Sequence, residues 1–168
     1  MLTFQSVNLE KLSTRGAWLN SRPTLALIFV LSLFCLGGPY TQIATAPLDP
    51  ILATPAQDEA LYSHGILRMA AGEDWLTPRF LGRRLLVKPP LLQWLSAASL
   101  KLFGNHLWTL RLPSILAAAA ILTLIYHSCG PVGWILLLST HLWRSRAGLV
   151  LMDDLLTLFY LIAILQFA

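Results

Sequence analysis

Asp58–Trp94, DEALYSHGILRMAAGEDWLTPRFLGRRLLVKPPLLQW, is the one long stretch of this chain in which charged and polar residues concentrate. Apolar runs long enough to enter a bilayer lie on either side of it. A polar loop between membrane segments, carrying paired acids, arginines and Lys88-Pro89-Pro90, is where chemistry is expected. The rest of the chain has the composition of a membrane protein: of 168 residues, 56% are hydrophobic and 12% charged, against about 25% charged in soluble domains. Mean hydropathy is +0.65. The net charge of +4 is small and scattered, which argues against nucleic acid as a partner; basic residues beside a membrane meet anionic head groups or a phosphorylated lipid. Cys35 and Cys129 stand far apart in apolar segments without metal-ligand spacing. That argues against a structural zinc site and reads them as small buried hydrophobes.

Outward from the polar stretch, the sequence predicts an all-α polytopic membrane protein with about four transmembrane helices and amphipathic juxtamembrane helices in the first outer loop. Residues 1–22 read as a cytoplasmic tail, with Lys11, Arg15 and Arg22 against Glu10. A first span follows at 23–40; a cleaved signal peptide is the alternative reading of this run. The outer loop is 41–107, irregular at 41–54 and helical from a Thr54 cap with Pro55 at the first helical position, up to a stop at Gly72. Residues 73–88 read as loop. A further helix runs from Pro89-Pro90 to Gly104 with Leu91, Trp94, Leu95, Ala98 and Leu102 as its apolar stripe, and suits the membrane interface. The second span is 108–127, with Arg111 snorkelling near its outer end. Gly130-Pro131 makes a tight turn into a third span at 131–146, and a fourth begins at 154–168. His141 falls in an apolar run and reads as a packed, hydrogen-bonded group. His64 reads as a surface residue, and His106 and His127 as helix-end residues without a role. Counting crossings from a cytoplasmic N-terminus puts Asp58/Glu59 and Asp153/Asp154 on the same, outer face.

Each candidate residue has a plain structural reading beside its chemical one. Asp58 can act as general base, orient an acceptor hydroxyl or hold a metal; Asp58 and Glu59 are equally well placed as first-turn acids favoured by the helix dipole. Asp153 and Asp154 open an apolar helix and have the same two readings. Lys88, ahead of two prolines that offer no amide donors, presents an ammonium suited to a phosphate oxygen. Arg79, Arg83 and Arg84 offer bidentate phosphate contacts or ordinary head-group contacts.

The order DEALY, GEDWLTPRFLG, KPPLLQWLSAASLKLFG, LRLPS and LMDDLLTLF resembles GT-C-fold integral membrane glycosyltransferases. The branch is that of bacterial protein O-mannosyltransferase-like and lipid A aminoarabinose transferase-like enzymes, and the resemblance covers about residues 55–165. It implies transfer of a sugar from a polyprenyl-phosphate carrier to a protein, lipid or glycan acceptor outside the cytoplasm, in the inner membrane. It implies catalytic roles for Asp58, Glu59 and Asp153, and donor-phosphate binding by Lys88 with Arg83 and Arg84. The only cofactor it brings into view is a divalent metal, with Asp58 and Asp153 as candidate ligands. The chain departs from the family pattern at Val87, where many relatives carry an acid, and at Leu61, where an arginine is usual. It is also far shorter than such enzymes, so the expectation is of a fragment or truncated reading frame without activity alone. The reading from another class is a small non-catalytic membrane anchor or lipid-binding assembly protein, its acids serving as caps and its arginines as lipid contacts.

Overall fold

The computed structural model describes residues 21–37, 57–77, 79–80, 83–84 and 88–167. Most of the tail expected at 1–22, the end of the first apolar run, the loop at 41–54 with the Thr54 cap, and Val87 lie outside the described residues. Among the described residues the chain is helical apart from one two-residue ladder. The elements are α1 (Arg22–Gly37), α2 (Gln57–Ala70), β1 (Arg79–Phe80), β2 (Arg83–Arg84), α3 (Leu91–Phe103), α4 (Leu107–Ser139), α5 (His141–Arg146) and α6 (Asp153–Phe167). The ladder is antiparallel, Arg79 opposite Arg84 and Phe80 opposite Arg83, and falls inside the stretch expected to be loop.

Among the described residues, one helical run is long and apolar enough to cross a membrane. It is Leu107–Ser139, 33 residues with a mean hydropathy of 1.7; Arg22–Leu36 is apolar but shorter. The long run is not one straight rod. Gly130 takes φ 69°, ψ −168° inside it, a conformation that a Cβ disfavours, and Pro131, which has no N–H to leave unpaired, opens the second limb. A Cβ on Gly133 would fall 2.5 Å from that of Cys129, so only glycine fits where the two limbs close on each other. Beyond the break, Ala118, Ala119 and Leu122 of the first limb share a cluster with Trp134, Leu137 and Leu138 of the second, and Phe29, Leu33 and Leu36 of α1 complete it. The Trp134 indole N–H donates to Ser32 Oγ at 3.0 Å, tying α1 to the second limb.

The apolar run expected to be helical across 131–146 is interrupted. Thr140 is extended (φ −69°, ψ 117°) and α5 restarts at His141. The break turns His141 out to the surface, correcting the expectation that it is packed. Cys35 and Cys129 are exposed as well, not buried. The reason is common to both: α1 and α4 are apolar on their outward sides too, as the exposed Val30, Phe34, Val132 and Leu136 show, so an apolar residue there is not thereby a core residue.

A second cluster gathers Tyr62, Ile66 and Met69 of α2, Leu92 and Leu100 of α3, Leu107 and Leu110 of α4, and Val150–Met152. α2 ends with Gly72 at φ 103°. Gly72 N–H donates to Met69 C=O and Glu73 N–H to Arg68 C=O, the paired closing bonds of a left-handed helix stop. α3 meets this cluster with the face opposite its apolar stripe. Leu92, Gln93, Ser96, Ala97, Ser99 and Leu100 are buried, while Leu91, Leu95 and Leu102 are exposed. Small serines and an alanine let α3 approach its neighbours closely, as small residues do between helices in lipid. Leu91, Leu95 and Leu102 face out. The Trp94 indole N–H donates to Trp75 C=O at 2.6 Å, and the Lys101 ammonium sits 5.0 Å from the Trp75 ring centre. Together these bind the 73–77 segment onto α3.

Candidate functional site

The first turn of α2 carries Asp58 and Glu59 and sends them to opposite environments. Asp58 is exposed. Glu59 is fully buried. Its Oε1 accepts the Arg111 Nε–H at 2.7 Å and its Oε2 accepts an Nη2–H at 2.8 Å. The Val150 backbone N–H adds a third bond to Oε1 at 3.2 Å. Two forked bonds to a guanidinium are the strongest arrangement a carboxylate can find in a protein. Arg111 therefore does not snorkel outward. Its guanidinium turns inward and fastens α4 to α2 and to the segment that leads into Asp153. Sequence reading missed this pair, although a signal was present: an arginine inside an apolar run implies a carboxylate partner, and Glu59 was available.

The Val150 bond brings the far end of the chain to α2. Three residues on, α6 opens with Asp153 and Asp154. The Lys88 ammonium stands 3.9 Å from Asp153 Oδ1 and 5.9 Å from the centre of the Tyr62 ring. Lys88 and Asp153 both remain open to the surroundings. Asp154, by contrast, is buried and accepts the Gly148 N–H on Oδ2 at 3.0 Å. Gly148 itself has φ 83°, the turn that directs this N–H back towards the helix start.

Of the residues singled out by sequence, the structure thus places Lys88 beside Asp153, and Glu59 three residues away from Asp153 through Val150. Asp58 lies on the same helix turn as Glu59, facing outward. Arg83 and Arg84 form β2, paired with β1. This arrangement offers an exposed ammonium beside an exposed carboxylate, Asp153, with the buried Glu59–Arg111 pair bonded to the segment that leads to it. It suits a ligand that is anionic at one point and rich in hydroxyls at another. Among the described residues no group of three or more His, Cys, Asp or Glu side chains could hold a metal ion. A cation, Lys88, already stands at Asp153. The residues present do not make a metal donor set.

Residues 87–168 match the family of dolichyl-phosphate-mannose-protein mannosyltransferases, a match that contains Lys88, Arg111, Asp153 and Asp154. Among curated proteins, the chain is similar to undecaprenyl phosphate-alpha-4-amino-4-deoxy-L-arabinose arabinosyl transferases. That of Pseudomonas aeruginosa is 34% identical over 88 residues, 52% of this chain and 14% of the relative. That of Yersinia pestis is 33% identical over 110 residues, 66% of this chain and 17% of the relative. That of Pseudomonas savastanoi pv. phaseolicola is 31% identical over 75 residues, 45% and 14%. The chain therefore spans less than a fifth of the length of these relatives. No solved structure matches it. The resemblance to GT-C-type glycosyltransferases that its motifs carry holds over this part of the chain.

Proposed function

We propose that this chain carries the carrier-binding rim of an integral membrane glycosyltransferase. The enzyme moves a sugar from a polyprenyl-phosphate carrier onto an acceptor on the outer side of the inner membrane. The names of the relatives supply the donor class, an undecaprenyl phosphate sugar. The observation that carries the reading is the Lys88 ammonium, 3.9 Å from Asp153 and open to a ligand, at the end of the bundle where α2 and the start of α6 meet.

In this reading the apolar α1, the two limbs of α4 and α6 are the four membrane segments, with α2 and α3 at the outer interface. An acceptor hydroxyl attacks the anomeric carbon; the new C–O bond forms as the bond to the carrier phosphate breaks, with inversion. Asp58, exposed on the first turn of α2, takes the acceptor proton or orients the hydroxyl. The leaving phosphate gathers charge beside Lys88, with Arg83 and Arg84 as further donors. Cations already placed where charge develops cost little reorganisation at the moment of reaction. Asp153 holds the ammonium in place between turnovers. Glu59, enclosed by Arg111 and Val150, positions the Asp153 segment and does not touch substrate.

The test is transfer from a radiolabelled undecaprenyl-phosphate sugar by the intact enzyme in membranes. Lys88→Ala and Asp58→Asn should each lower turnover by about 10²–10³, the scale of a lost charge-stabilising group, with membrane insertion unchanged. Transfer by Lys88→Ala at the wild-type rate removes the reading.

A further inference from the structure

Beside Asp153, on a side that the rim chemistry does not use, lies a cavity of about 300 Å³ between the end of α4, α5 and the start of α6. Its wall is mostly apolar, through Leu137, Leu151 and Trp143, with polar groups contributed by Arg146, Asp153, Asp154 and Thr157. We propose that this cavity seats a single sugar ring, with the Trp143 indole as its platform and Asp154 as acceptor for a ring hydroxyl or ammonium. The proposal rests on the glycosyltransferase reading above and adds to it a place for the saccharide itself.

Three observations point to a saccharide. The volume is at the lower end of small-molecule pockets, about 300–1,000 Å³, which suits one ring. The wall combines an aromatic face with carboxylates, a guanidinium and hydroxyls. A pyranose has the matching anatomy, with an apolar C–H face to lie on an indole and a girdle of hydroxyls to donate and accept. Finally, the cavity wall holds a polar group whose capacity is not used. Asp154 is only 7% exposed, has a single N–H from Gly148 on one oxygen, and has no cation at ion-pair distance among the described residues. A carboxylate so enclosed calls for further donors. A phosphate is disfavoured by the two carboxylates. A polyhydroxyl ring offers Asp154 the donors it lacks.

Asp153 links the two sites, since it lines the cavity and faces Lys88. A ring in the cavity therefore lies next to the position assigned to the carrier phosphate. The ring can come from the donor or from a glycan acceptor, and the chemistry of the seat is the same for both.

The experiment is saturation-transfer NMR on the intact protein in lipid nanodiscs, with methyl α-mannoside and methyl 4-amino-4-deoxy-arabinoside as probes. Wild type should transfer saturation to the ring protons of at least one of them. Trp143→Ala and Asp154→Asn should reduce the signal at least fivefold, and Trp143→Phe should retain most of it. Thr157→Trp, at an exposed wall position, should abolish it by filling the cavity without touching the core, which covers the case in which Asp154→Asn does not fold. Displacement of the probe by undecaprenyl-phosphate sugar marks a donor seat; displacement only by an oligosaccharide acceptor marks an acceptor seat. No signal in wild type, or an undiminished signal in Thr157→Trp, overturns the proposal. If Lys88→Ala abolishes transfer while Thr157→Trp leaves it intact, the sugar seat alone is wrong. Wild-type transfer by Lys88→Ala sinks the underlying reading instead, whatever the NMR shows.

Discussion

Two ion pairs occupy the same end of this bundle and are built in opposite ways. In Glu59–Arg111 the side chains are 1% and 4% exposed, the bonds are forked, and the closest approach is 2.7 Å. In Lys88–Asp153 they are 40% and 63% exposed and the one approach is 3.9 Å. The first pair is enclosed by the fold, with the Val150 N–H as a further partner of Glu59, so a ligand cannot reach it without unfolding the contact. The second is loosely held and open. Charge that is fully used within the protein holds the fold; charge that is positioned but unspent is available to substrate. Only the second pair is suited to chemistry, although both begin from residues that look alike in sequence.

The largest effect should come from breaking the enclosed pair on one side. Arg111→Leu leaves the Glu59 carboxylate buried without a cation, and should cost about 3–5 kcal/mol, the usual penalty for an orphaned buried charge. Chemical unfolding in detergent micelles measures it. The double variant Glu59→Met with Arg111→Met should recover most of the loss, because the penalty belongs to the unpaired charge and not to the absence of the pair. A single-variant cost below about 1 kcal/mol would make Glu59–Arg111 energetically equivalent to a surface pair and erase the contrast.

The same contrast explains how much could be read from the residues. The stop of α2 at Gly72, the span of α3 between two prolines and Gly104, and the break at Gly130-Pro131 are local matters of φ and missing N–H groups, and sequence carries them directly. Which face of α3 turns inward is not local. The helix has two stripes, one of leucines and one of Gln93, Ser96 and Ser99. In water the leucines would be buried; where the outer medium is apolar, that preference vanishes and close packing of small residues decides. Cys35, Cys129 and His141 were misplaced on the same ground, since hydrophobicity of a run does not say which side is core. That Asp58/Glu59 and Asp153/Asp154 share a face is an expectation from counting crossings; the structure adds the bond from Val150, three residues before Asp153, to Glu59. The Glu59–Arg111 pairing beside it was not legible, because a contact over 52 residues leaves no periodic trace.

The open pair should barely register in stability. Lys88→Ala or Asp153→Asn should each change the unfolding free energy by less than about 1 kcal/mol, as expected of an exposed pair that pays side-chain entropy for a weak attraction. Paired with the large fall in transfer expected of Lys88→Ala, that result separates a functional charge from a structural one. A loss of several kcal/mol on removing Lys88 would mean that it, too, belongs to the scaffold.

The smallest effect tests whether good geometry alone makes a pair matter. Arg68 Nε–H reaches both oxygens of Glu73 at 2.8 Å, distances as short as those of Glu59–Arg111, yet both side chains are exposed, one in the last turn of α2 and one just past its end. Arg68→Ala should cost about 0–1 kcal/mol, because water competes for every bond and the helix stop at Gly72 is closed by backbone hydrogen bonds that do not need the side chain. Salt sharpens the comparison. The Debye length falls from about 10 Å at 0.1 M to about 3 Å at 1 M, so the Arg68→Ala cost should vanish in high salt while the Arg111→Leu cost persists. Equal salt sensitivity of the two would show that burial, and not bond length, had been wrongly given the deciding role.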